Sequence, residues 1–142
     1  MRMSPSKHEG NRLAKRTSLV QNATRLWENR DRIGALVGFA ARARSVTVGS
    51  RETRDALHRG RVKLVLLALD GSLRDRERLV RIALEQGAPT ILAGTREELG
   101  AWIGRGLVSV AGITDPGLAA SIDRLGDTTH RERGRMDENA KE

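Results

Sequence analysis

Gly49-Ser50-Arg51-Glu52-Thr53-Arg54-Asp55-Ala56-Leu57-His58-Arg59-Gly60-Arg61, followed by Val62-Lys63-Leu64-Val65-Leu66-Leu67-Ala68-Leu69-Asp70, is the stretch that decides the fold. The second part is a nearly unbroken apolar run bounded by turn residues, the pattern of a central strand covered on both faces. Leu66 and Leu67 point to opposite sides of such a strand, so both are expected in the core. The first part predicts a short helix with Ser50 as its N-cap and Thr53, Ala56 and Leu57 on one face. Arg51, Glu52, Arg54, Asp55 and His58 fall on the others. A short strand, Ser45-Val46-Thr47-Val48, leads into Gly49. Strand, glycine turn, helix and strand therefore gather polar side chains and free amides at a helix N-terminus, which suits an anion such as a nucleic-acid phosphate.

Charge points the same way. The 142 residues carry a formal net charge of +8, and the excess is uneven. Arg42, Arg44, Arg51, Arg54, Arg59, Arg61 and Lys63 face only Glu52 and Asp55 within residues 42–63, whereas cations and anions nearly balance over 31–41 and 64–125. A localised basic segment predicts a polyanionic partner. There is no cysteine, hence no disulfide framework, thiolate metal site or cysteine nucleophile. No apolar stretch approaches the ~20 residues of a membrane span, and no signal-peptide apolar core opens the chain. A soluble, cytoplasmic protein without membrane contact is the expectation.

Taken in order, residues 1–28 form a basic arm with Arg2, Lys7, Arg12, Lys15, Arg16 and Arg25 against Glu9 and Glu28. It is expected to be largely disordered, with a short helix over Ser18 to Trp27, and to serve either as a solubilising tail or as a grip on RNA. A helix is predicted from Asn29 to Arg42, with Ile33, Leu36, Val37, Ala40 and Ala41 as its apolar stripe; Gly34 and Gly38 predict a close packing contact. Ser72 and Asp75 open a helix through Gln86 with Leu73, Leu79, Ile82 and Ala83 inward, and Gly87 ends it. Pro89-Thr90-Ile91-Leu92 reads as a strand. Thr95-Arg96-Glu97-Glu98 is a capping box opening a helix through Leu99, Trp102 and Ile103. Gly104-Arg105-Gly106 then turns the chain into a strand over Leu107 to Ala111. Asp115 and Pro116 start a last helix with Leu118, Ala119 and Ile122 inward. Residues 126–142 read as a charged disordered tail. From spacing alone, the strands suggest an ordinary parallel sheet.

Enzyme patterns fail their context tests. Gly104-x-Gly106 lacks a third glycine and precedes a strand instead of following one. Gly71-Ser72-Leu73 lacks the second glycine of a nucleophile elbow. His8, His58 and His130 have no metal-ligand spacing. Asp70 follows a strand, where catalytic acids often sit, but a helix-capping role is the stronger reading. No catalysis, metal, cofactor or small-molecule substrate is expected. Recognition of RNA by stacking on exposed sheet aromatics is also disfavoured. Only Trp27, Phe39 and Trp102 are available, and two of the three lie in helical apolar patterns that read as core.

Gly49-Ser50-Arg51-Glu52-Thr53-Arg54, Leu67-Ala68-Leu69-Asp70, Glu98-Leu99-Gly100 and Val110-Ala111-Gly112-Ile113-Thr114-Asp115 resemble, in order and spacing, the kink-turn RNA-binding ribosomal protein family. This is the L-seven-Ae and L-thirty-e group with its small bacterial relatives, and the resemblance spans about Arg32 to Arg124. It implies a three-layer α/β/α sandwich around a mixed four-stranded sheet, covering 29–125. The family signature is Gly-x-Asn-Glu-x-x-Lys at the start of the second helix. Gly49 and Glu52 match it; Arg51 stands at the asparagine and Asp55 at the lysine, with Arg54 carrying a cation one residue earlier. The resemblance implies that Glu52 reads guanine edges in sheared G·A pairs, a carboxylate accepting from guanine N–H donors. It also implies a second contact through Arg105-Gly106-Leu107-Val108, whose apolar atoms would meet flipped or stacked bases. The implied RNA-binding set is Gly49, Ser50, Arg51, Glu52, Arg54, Asp70, Arg105, Gly106, Leu107 and Val108. The expected partner is a structured RNA, ribosomal or otherwise kink-turn-like, with the ribosome as its setting. The alternative is a non-catalytic protein-interaction module of the same fold.

Overall fold

The computed structural model describes residues 28–126; the expectations for the arm, for the helix over Ser18 to Trp27 and for the tail lie outside the described residues. The elements run α1 (28–42), β1 (Val46–Val48), α2 (Ser50–His58), β2 (Leu64–Ala68), α3 (Leu73–Gln86), β3 (Thr90–Gly94), α4 (Arg96–Ile103), β4 (Val110–Ile113) and α5 (Pro116–Leu125). The sheet order is β1-β4-β2-β3. β2 and β3 are parallel, and β4 is antiparallel to both β1 and β2. The sheet is therefore mixed, as the resemblance implied; the all-parallel arrangement suggested by spacing is wrong.

The reason lies in α4. This helix rises only about 12 Å over its eight residues, and the chain then folds back so that Val108 N–H donates to the Arg96 carbonyl at 3.1 Å. The chain thus returns to the end of the sheet where β3 finished. β4 starts there and runs the other way. The predicted strand over Leu107 to Ala111 is correspondingly displaced: pairing begins at Ser109, whose carbonyl accepts from Ala68 N–H at 2.9 Å, and Leu107 stays in an exposed loop.

β2 carries the core. Leu64 and Leu66 face a layer made by α1, α4 and α5, while Val65 and Leu67 face α2 and α3. Leu66 is 0% and Leu67 3% exposed, so the unbroken apolar run follows from a strand with no solvent face. Gly34 and Gly38 give α1 its close approach: a Cβ on Gly34 would overlap the Trp102 indole, and one on Gly38 would lie 3.3 Å from the Trp102 carbonyl. Trp102 is half-buried against the first layer, whereas Phe39 lies outside the stripe and is exposed.

Local signals set most element ends. Ser72 accepts from Asp75 N–H at 3.4 Å, Gly87 closes α3 in the left-handed conformation, the Thr95–Glu98 capping box is complete, and Asp115 accepts from Leu118 N–H at 2.8 Å ahead of Pro116. Two expectations need correction. Leu73 is 64% exposed, because at 3.6 residues per turn it falls on the opposite side of α3 from Ile82. Ser50 is the first helical residue and not the cap; that position belongs to Gly49, at φ 93° and ψ 160°, with no side-chain cap bond.

Candidate nucleic-acid interface

Because β1, β2 and β3 run together and β4 runs against them, one end of the sheet collects the ends of the first three strands and the start of the fourth. Gly49 leaves β1 there, Asp70 follows β2, and Arg105 to Val108 lead into β4. The segments singled out in the sequence thus share one end of the molecule. Direct bonds tie them together. Gly49 N–H donates to the Val110 carbonyl at 2.8 Å, and Leu69 N–H to the Gly94 carbonyl at 2.7 Å.

Glu52 is exposed, yet it is held. Its Oε2 accepts from Val48 N–H at 2.9 Å. β1 lies at the sheet edge, and its pairing with β4 leaves Val48 N–H on the open side; the carboxylate satisfies that donor. Gly49 N–H is already spent on β4, so Glu52 reaches past the cap position to Val48 and ties the helix start to the edge strand. Beneath it, the buried hydroxyls of Thr47 and Thr53 meet at 2.9 Å. A Cβ on Gly112 would lie 3.1 Å from Val62 and in collision with Thr47, so these two side chains can sit this close only over glycine. Arg51 and Arg54 flank Glu52, and among the described residues neither guanidinium has a hydrogen-bond or ion-pair partner.

Asp70 has a different local role. Its Oδ1 accepts from Arg96 N–H at 2.8 Å, and its Oδ2 lies 3.6 Å from Arg96 Nε. The backbone bond from Arg96, with the guanidinium charge adding to it, holds the carboxyl below its ordinary pKa. Asp70 therefore caps α4 from the turn after β2, across 26 residues of chain. The same helix start is anchored by an Arg30–Glu98 ion pair.

The loop before β4 depends on Gly100, whose role sequence reasoning reached only through the family motif. A Cβ there would overlap the Gly106 carbonyl oxygen. Gly104 N–H and Arg105 N–H both donate to the Gly100 carbonyl at 2.8 Å. The glycine spacing 100-104-106 is the signal for this close turn. Its product is an exposed Arg105 and Gly106 and a Leu107 that is 68% exposed. Val108 is buried in the core, so the apolar side chain this loop offers outward is Leu107.

The basic segment does not stay together. α2 carries the chain from the Gly49 end back to the other end of the sheet. Arg51 and Arg54 remain near Glu52, while Arg42 at the end of α1 and Arg44, Arg59, Arg61 and Lys63 in the connections lie at the opposite end. Contiguity in sequence concealed this division, because a nine-residue helix is about 13 Å long.

A four-stranded mixed sheet between helical layers, with an edge-strand glycine feeding a carboxylate-bearing helix start beside an exposed loop, defines an α/β/α sandwich of the ribosomal-protein type. The chain belongs to the Ribosomal protein L7Ae/L30e/S12e/Gadd45 family, whose model matches residues 31–122. It is similar to a protein of unknown function from Bacillus halodurans at 30% identity and a TM-score of 0.64, covering 66% of this chain and 94% of that one. It shares its fold with the Giardia lamblia 15.5kD RNA binding protein at 22% identity and a TM-score of 0.58, covering 65% of this chain and 85% of the other. No curated protein sequence matches it. Among the described residues no helix is long and apolar enough to cross a membrane, and no cluster of His, Cys, Asp and Glu could hold a metal ion.

Proposed function

We propose that this protein is a non-catalytic RNA-binding protein that recognises a structured, kink-turn-like RNA through the start of α2 and the loop before β4. Membership of a ribosomal-protein family supports RNA binding in general. The observation that carries the finer reading is the Val48 N–H bond to Glu52 Oε2. It fixes a carboxylate between two unpartnered arginines. A surface built only to hold phosphates gains nothing from a negative charge at that place, whereas a guanine edge presents N–H donors that a carboxylate accepts. In this reading Glu52 takes guanine N–H groups of tandem sheared G·A pairs. The Gly49 and Ser50 backbone lets the RNA approach, Arg51 and Arg54 meet flanking phosphates, and Arg105, Gly106 and Leu107 contact an unstacked base. Asp70, itself exposed, seats α4, and the buried Val108 anchors the loop. Arg51 at the asparagine position shifts one contact from an amide to a guanidinium. Ribosomal RNA in the cytoplasm is the natural setting.

Wild-type affinity is to be compared for an RNA with tandem G·A pairs in a kinked context and for a plain duplex of equal length at one salt concentration. Preference by roughly 1–3 kcal/mol, the scale of one good base-edge contact, is the expected result. Equal affinity contradicts the reading, and absence of binding to either RNA favours a protein-interaction module.

A further inference from the structure

At the end of α2 away from Glu52, a groove of about 380 Å³ runs between the helix and the edge strand β1. Arg44, Arg59 and Arg61 line it, with Glu52 and Asp55 on the wall nearer the start of α2. Three features make this more than a solvated surface. The guanidinium groups of Arg44, Arg59 and Arg61 have no hydrogen-bond or ion-pair partner among the described residues, and Asp55, four residues before Arg59, does not pair with it. Arg44 also occupies a conformation that arginine disfavours. Its φ is +59°, and it follows α1 at the position where Ser45 N–H returns to the Ala40 carbonyl and Arg44 N–H to the Ala41 carbonyl. That closing motif ordinarily takes glycine. Arg44 thus lines the groove at a backbone position where glycine would relieve strain, a cost that points to a use for its side chain. Finally, the groove is continuous with the Glu52 surface, since Glu52 itself lines it.

We propose that Arg44, Arg59 and Arg61 form a second phosphate-binding site, which holds the sugar-phosphate backbone of an RNA stem leaving the Glu52 surface. This rests on the RNA-binding reading of that surface and extends it. From Glu52 to Arg59 the helix rises about 10 Å, enough to separate a base-contacting end from a phosphate-contacting end. The acidic end of the groove meets base and 2′-hydroxyl donors, and the arginine end meets phosphates.

The test uses the full chain and three RNAs: a tandem-G·A RNA with a long flanking stem, the same RNA with that stem cut back, and a plain duplex. Binding is titrated across salt concentrations for the wild type, Arg59→Ala/Arg61→Ala and Arg44→Gly. For the long-stem RNA, the double variant is expected to bind several-fold more weakly and its log–log salt slope to shrink by roughly 0.7–0.9 per lost phosphate contact. The cut-back RNA is expected to bind as it does to the wild type. Arg44→Gly is expected to raise the melting temperature by several degrees while lowering the slope on the long-stem RNA. Unchanged slopes in both variants, or equal losses on the long and cut-back RNAs, overturn the proposal. If wild type does not prefer tandem G·A pairs, the guanine-reading account fails on its own, and the slopes on the plain duplex still decide the groove.

Discussion

The two ends of α2 are built on opposite principles. At its start the carboxylates are tied down, Glu52 to Val48, Asp70 to Arg96 and Glu98 to Arg30, and only Arg51 and Arg54 beside Glu52 lack a partner among the described residues. At its other end Arg44, Arg59 and Arg61 are unpaired, and one of them sits in a backbone conformation better suited to glycine. Rigid acceptors discriminate between bases because their geometry cannot adapt to the wrong one. Unpaired cations add affinity without discrimination, since phosphates are the same everywhere. The difference teaches how one short helix can read at one end and hold at the other.

The comparison breaks altogether if the shared scaffold is lost. Leu66→Asp places an unpaired carboxylate between the sheet and the α1, α4 and α5 layer, at a site that is 0% exposed, a cost of several kcal/mol. No cooperative thermal transition should remain, and both ends should fail together. A melt close to wild type would mean that β2 is not the central strand.

Gly100→Ala should damage the start of α2's surface alone. The added methyl group collides with the Gly106 carbonyl, and overpacking of this kind costs about 1–3 kcal/mol. A lower melting temperature and a weaker preference for tandem G·A RNA are expected, because Leu107 moves. The salt slope on plain duplex should hold, because the arginine groove lies elsewhere. Loss of both properties would show that the two ends are not separable.

Arg54→Ala sharpens the contrast from within the discriminating end. It should weaken tandem-G·A and plain RNA about equally and reduce the salt slope by roughly 0.7–0.9. A loss confined to the G·A RNA would assign Arg54 to a base edge.

The smallest effect concerns Asp70. Its folded pKa is depressed by the Arg96 N–H bond from an ordinary value of 3.8, so its contribution to stability is present above that value and lost as pH falls through the folded pKa. Asp70→Asn should therefore lower the melting temperature slightly at neutral pH and flatten the acid decline below about pH 4. An acid limb as steep as that of the wild type would remove Asp70 from the account of how α4 is seated.

Much of this architecture was legible because single residues carry it locally. The run from Leu64 to Ala68 announces a strand without a solvent face. Ser72, Gly87, Thr95 with Glu98, and Asp115 with Pro116 each satisfy backbone groups within one turn of chain. The mixed sheet was legible only through family resemblance. The direction of β4 depends on where the chain goes after α4, and a bond such as Val108 N–H to the Arg96 carbonyl has no signature in spacing. The division of the basic segment was hidden for the same reason, since charge counted along the chain ignores that α2 reverses it. Ser50 looked like a cap by residue type. Gly49 takes the cap position instead, and Thr53 N–H donates to the Gly49 carbonyl at 3.1 Å. Arg44 gave no sign of its left-handed backbone beyond the absence of a glycine after Arg42.

Glu52 bears the central claim, and Glu52→Gln tests it most directly. Glutamine keeps an oxygen able to accept from Val48 N–H, so the start of α2 stays in place, while the charge is lost and a donor is introduced toward the RNA. The measurement is the ratio of affinities for tandem-G·A RNA and plain duplex, in wild type and variant at the same salt. The account predicts that this ratio collapses by about 5- to 150-fold, the equivalent of roughly 1–3 kcal/mol, through weaker binding of the G·A RNA alone, with the melting temperature nearly unchanged. A variant that keeps the wild-type ratio, or gains affinity for both RNAs alike, would contradict it.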